Sequence, residues 1–86
     1  MVKEIKPVQF GLALGIIWGF GVLMLGLMAT FLGWGVQAVS TIGSVYLGYE
    51  LSVIGSIIGL IWAIVDGFIA GFLIAYIYNV LTKSMA

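Results

Sequence analysis

Among the residues able to do chemistry, Asp66 stands apart, a single carboxylate inside an otherwise apolar segment. No arginine, lysine or histidine occurs between Lys6 and Lys83, so nothing in that interval can form an ion pair with it. An ionisable side chain in such surroundings is costly and by default marks a functional site. Three uses are open to it. Desolvation favours the neutral, protonated acid. A hydrated pore would keep the acid ionised and let it attract cations, as carboxylate rings do. A purely structural Asp66 would accept hydrogen bonds from Trp18, Trp62 or a hydroxyl on a neighbouring copy.

Glu50, Ser52 and Ser56 add polar groups at the start of the same segment. Glu50 suits the opening of a helix, where the positive end of the dipole favours an acid, and also suits a pore mouth. Ser52 and Ser56 stand about one turn apart and are placed to hydrogen-bond across a helix contact. Enzyme chemistry lacks its parts: there is no nucleophile paired with a base, no metal-ligand cluster and no phosphate loop. With neither cysteine nor histidine in the chain, no thiolate or imidazole metal site can be built. No enzyme activity, metal or cofactor is expected. A net charge of zero argues against nucleic acid as a partner, because neutralising phosphates needs a basic patch.

The elements that position these groups follow from composition. The 86 residues are 64% hydrophobic and 7% charged, with mean hydropathy +1.33, whereas a soluble domain carries about a quarter charged residues. Two stretches free of charge, apart from Asp66, reach the length of about 20 residues that a membrane helix needs. The reading is an all-α membrane protein, a hairpin of two transmembrane helices. A polar arm over residues 1–7 leads into the first helix over 8–35, started by Pro7 at a position where its missing N–H costs nothing. That apolar run is far longer than a secretory signal core of about 7–15 residues, so it is expected to stay as a span. An external interfacial connection covers 36–50, the second helix 51–81 and a tail 82–86. Within the connection, residues 36–47 are open to a loop, a short headgroup helix or a re-entrant segment.

Small residues recur every fourth position in both helices. In the second they are Gly55, Gly59, Ala63, Gly67, Gly71 and Ala75, and in the first Gly11, Gly15 and Gly19, continued after steps of seven by Gly26 and Gly33. Small side chains four apart let membrane helices bring their backbones together. Each line is therefore a close-packing face, whether toward the other helix or toward another copy. Projected down a helix, Asp66 falls about 20° from Gly55 and Gly59, which points it along that seam. A hairpin this small buries little surface alone. Self-association into a homo-oligomer, or docking to a larger membrane complex, is expected.

Topology follows from the lysines. Lys3 and Lys6 lie at one end of the chain and Lys83 at the other, with none in the connection. The positive-inside rule then puts both termini in the cytoplasm of a cell-membrane, multi-pass protein. Tyr46 and Tyr49 at one end of the second helix, and Tyr76 and Tyr78 at the other, read as interfacial aromatic girdles.

The residues Gly48-Tyr49, Ser52, Gly55-Ser56, Gly59, Trp62, Asp66-Gly67-Phe68, Gly71, Ala75 and Tyr78-Asn79, with Ala13-Leu14-Gly15 and Trp18-Gly19 in the first helix, carry a resemblance. Together they resemble a family of very short two-span prokaryotic proteins labelled bacteriophage holin. That resemblance implies an oligomeric membrane pore or lesion, one that lets a cell-wall lytic enzyme out. In architecture the chain is also similar to the proteolipid rotor ring of ATP synthases, which would make Asp66 a proton or sodium carrier. It departs from those rings in its arginine-free connection, its four-spaced glycines and its inverted predicted orientation. A third reading is a structural or accessory membrane subunit that only packs.

Overall fold

The structure, a computed structural model, describes residues 4–85. Expectations resting on Lys3 and the amino terminus, and on Ala86, lie outside the described residues. Three helices follow in order: α1 (Pro7–Leu32), α2 (Val36–Gly43) and α3 (Val53–Met85). They form a rod of 50 × 18 × 18 Å. Helices α1 and α3 are each long and apolar enough to cross a membrane, with mean hydropathies of 2.2 and 2.4 over their most apolar windows.

Local chemistry sets the ends. Lys6 is extended and caps α1, Pro7 takes the first helical position, and the Phe10 amide donates to the Lys6 carbonyl at 3.0 Å. At the other end Gly33 turns left-handed at φ 70°, and its amide closes on the Ala29 carbonyl at 3.1 Å. A second left-handed glycine, Gly35 at φ 77°, caps α2. Two such residues around Trp34 reverse the chain at little steric cost, which a residue with a Cβ could not do. The helix therefore stops at Leu32 and not at the expected 35.

Helix α3 begins at Val53, after Ser52 caps it: the Gly55 amide donates to Ser52 Oγ at 2.8 Å. An N-cap serine satisfies a donor that the first turn leaves free. The helix then continues four residues past the expected 81, carrying Lys83 in its last turn, where a cation is favoured.

The seam between α1 and α3 is built from the two small-residue lines. Gly11, Gly15, Gly19, Gly26 and Ala29 are buried on α1, and Gly55, Gly59, Ala63, Gly67, Gly71 and Ala75 on α3. Along most of their length they face each other within one chain. A Cβ on Gly67 would lie 2.6 Å from the Gly15 Cα, and one on Gly71 2.8 Å from the Gly11 Cα. Backbone there meets backbone, as small residues permit. Gly33 leaves this line, because it is the exposed left-handed cap.

The connection folds back along the hairpin. Helix α2 turns Val39 and Ile42 toward Val22, Leu25 and Ala29 of α1, and its polar residues Gln37, Ser40 and Thr41 face outward. The chain then runs beside the first turns of α3 in the opposite direction. Tyr46 stacks on Trp62, Gly48 lies against Ile58, Tyr49 against Gly59, and Glu50 against Gly55. Of the arrangements open for residues 36–47, the structure has a short helix followed by an inward-folded loop.

At the far end of the rod the two chain ends are tied together. Asn79, which is buried, accepts from the Ile5 amide at 2.9 Å and donates to the Ile5 carbonyl at 2.7 Å. Lys83 and Glu4 form an exposed ion pair at 3.3 Å, a type that contributes little.

Candidate functional site

Asp66 lies 13 residues into α3, about 20 Å from its start at 1.5 Å per residue. It does not lie in the seam. The ladder advances by about 40° every four residues, because four residues exceed a turn of 3.6. Its residues nearest in height to Asp66 are thus Ala63 and Gly67, about 60° and 100° away from it. The comparison with Gly55 and Gly59 mixes heights. Asp66 is exposed on the flank of the hairpin, between two open apolar hollows. Leu14, Trp18, Gly67 and Ala70 line one of them, and Val45, Tyr46, Trp62, Val65 and Ile69 the other.

Its partner comes from the connection. The Tyr46 hydroxyl donates to Asp66 Oδ2 at 2.5 Å and accepts from Trp18 Nε1 at 2.9 Å. An indole N–H only donates, so Trp18 uses a lone pair of the hydroxyl and leaves the phenol proton free for the carboxyl oxygen. One polar chain thus crosses α1, the connection and α3. Tyr46 belongs to the connection, outside both long helices. Burial, and then its bond to Asp66, push its phenol above the ordinary range, which preserves it as a donor. Among the described residues Asp66 Oδ1 has no hydrogen-bond partner.

Trp62, the other expected partner, donates instead to the Leu47 carbonyl at 2.9 Å. Its ring lies parallel to Tyr46, at 5.9 Å between centroids and 7° between planes. It fixes the tyrosine that reaches Asp66. Contact of this geometry is favourable beyond simple burial.

Tyr49 makes a second inward contact. Its hydroxyl donates to the Val22 carbonyl at 2.6 Å, and its ring fills the space left by the absent side chains of Gly26 and Gly59. Tyr46 and Tyr49 are 7% and 4% exposed, so neither is part of an outward aromatic girdle. Each hydroxyl finds an acceptor inside the hairpin, which removes the reason for a tyrosine to seek the interface. Tyr76 and Tyr78, by contrast, are exposed.

The remaining site residues are not gathered around Asp66. Ser52 caps α3. Ser56 is fully buried, donates to the Ser52 carbonyl at 2.8 Å and packs on Gly26. Glu50 lies two residues before the cap, exposed, about 16 Å along α3 from Asp66 if its contact with Gly55 marks its height. It borders a separate hollow with Val36, Ser40, Gly43 and Ser44. The contact of Asp66 that sequence reasoning missed is Tyr46. The available signal was that a carboxylate with no basic residue between Lys6 and Lys83 needs a neutral donor, which a tyrosine hydroxyl can be.

No protein family, curated protein or solved structure matches this chain.

Proposed function

We propose that this chain is a multi-pass membrane protein whose copies associate into a holin-like pore or channel, with both termini on the cytoplasmic side. The reading rests on one observation. Halfway along an apolar helix, Asp66 stands on the open flank of the hairpin with one carboxyl oxygen unpartnered. A charge facing lipid at mid-membrane costs about 2.5–3.5 kcal/mol or more. Other copies, or water in a path between them, would remove that cost. The seam cannot serve this purpose, because α1, α3 and the connection already fill it. Association therefore uses the outer flanks. The resemblance in residues 48–79 to holin-labelled proteins points the same way.

The alternative is a structural or accessory subunit without transport. It is favoured by the bond from Tyr46 to Asp66, which gives the carboxylate a structural task within its own chain.

Single-channel recording in planar bilayers separates the two. Cation-selective currents that fall or lose selectivity in Asp66→Asn support a channel with the carboxylate on its path. A wild type that assembles and never conducts overturns the pore reading and leaves the structural one.

A further inference from the structure

We infer that the flank carrying Asp66 is a binding site for a hydrophobic amine, whose nitrogen meets Asp66 Oδ1 and whose apolar body lies in the hollows on either side. The site is complete within one chain and goes beyond the proposal that copies form a pore.

The open oxygen calls for a donor. Asp66 Oδ2 is taken by Tyr46, while Oδ1 has no partner among the described residues. The donors nearby are already committed: Trp18 Nε1 to Tyr46, the Tyr46 hydroxyl to Oδ2, and Trp62 Nε1 to the Leu47 carbonyl. No arginine, lysine or histidine lies between Lys6 and Lys83 to supply another. The missing donor therefore comes from outside the chain. An amine brings its own protons. Carboxylate with ammonium and carboxylic acid with free amine contain the same atoms, so the hydrogen bond forms in either state. In the charged state it belongs to the stronger kind.

The surroundings choose the rest of the ligand. Asp66 lies between a hollow of ≈ 190 Å³ on the side of α1, with Trp18 and Ala70 in its wall, and one of ≈ 200 Å³ on the side of the connection, with Trp62 and Val65 in its wall. Both are walled mainly by carbon. An apolar hollow with a placed polar group is the general form of a small-molecule site. Trp18 and Trp62 are 45% and 41% exposed, so indole surface stays open on each side of the carboxyl, where it favours a cation. Smaller occupants fit less well. A bound water needs about 2–4 polar partners and a calcium ion about 6–8 oxygens, which one open oxygen does not supply. A hydrophobic amine needs that oxygen and carbon on both sides of it.

Phenylbutylammonium is a suitable probe, titrated into the full chain in uncharged detergent and corrected for uptake by empty micelles. Binding should saturate at one ligand per chain and change the tryptophan fluorescence, because Trp18 and Trp62 border the site. Asp66→Asn should lower the affinity about tenfold or more, since the amide cannot form the charge-assisted bond. Ala70→Leu should lower it as well, by filling the hollow beside Trp18. Ala70 is exposed, and this variant keeps the carboxyl and its bond to Tyr46, so its loss cannot come from a loosened connection. Glu4→Gln, which removes an acid at the far end of the rod, should bind as wild type does. Affinity unchanged in Asp66→Asn overturns the site, and affinity unchanged in Ala70→Leu overturns the role of the hollow. Phenylbutanol binding as tightly as the amine overturns the choice of an amine. Because the site belongs to one chain, saturable binding that depends on Asp66 would support it even in a protein that never conducts.

Discussion

The hydroxyl of Tyr46 lies 2.5 Å from the carboxyl of Asp66, a contact that joins positions 20 residues apart and draws the connection down beside α3. It ties the one intramembrane acid of the proposed topology to the segment least constrained by its own secondary structure.

Tyr46→Phe should loosen that segment without unfolding the hairpin. The variant loses the donor to Asp66 and the acceptor for Trp18, and keeps its ring on Trp62. A typical intramolecular hydrogen bond contributes about 0.5–1.5 kcal/mol. Hydrogen exchange should quicken at residues 44–50, with the amides in the middle of α1 and α3 unchanged. Equal protection of 44–50 in both proteins would mean that packing alone holds the connection.

Glycines in this chain should differ sharply in tolerance. A Cβ on Gly15 would lie 2.6 Å from the Ile64 carbonyl oxygen, and one on Gly67 2.6 Å from the Gly15 Cα. Both obstacles are backbone, so the helices must part. Gly67→Ala should destabilise the hairpin by about 1–3 kcal/mol or more, the range for overpacking. Gly21 meets nothing within 4 Å, and Gly21→Ala should be neutral or stabilising by up to about 1 kcal/mol through helix propensity. Unfolding of the three proteins in detergent measures the contrast.

Tyr49 should be the connection's main anchor. Tyr49→Phe removes only the bond to Val22 and should cost about 1 kcal/mol. Tyr49→Ala empties the space between Gly26 and Gly59 and should cost about 3–5 kcal/mol, as for other buried aromatics. Equal losses would show that the hydroxyl, and not the ring, holds the loop.

Asn79→Ala should free the start of α1. Both bonds between Asn79 and Ile5 disappear together, at about 0.5–1.5 kcal/mol each. Glu4→Gln, which removes only the exposed pair with Lys83, should change stability by less than about 1 kcal/mol. Exchange of the Ile5 and Phe10 amides reports the difference, rising in the first variant and not in the second.

Much of the hairpin was legible in the chain because it is written in local periodicity. A small residue at every fourth position defines a face of a helix whatever surrounds it, and charge-free runs of this length define the two long helices. Pro7 announced the start of α1. The end at Leu32 was less visible, since Gly33 and Gly35 look like other glycines until their left-handed backbone turns the chain. The flank position of Asp66 follows from the same helix geometry once heights are compared, though a single projection hid it.

Sequence alone determined the two apolar helices, the small-residue line on each, and a lone carboxylate without a basic partner. Tertiary structure alone decided that these lines face each other, that Tyr46 and Tyr49 turn inward, and that Asp66 is bound by the first of them. The physical reason is range. Helix faces repeat every few residues and can be read along the chain, whereas the path of residues 44–52 has no repeat. That path depends on contacts with α1 and α3, such as Tyr49 on Val22 across 27 positions, which exist only once the helices have packed.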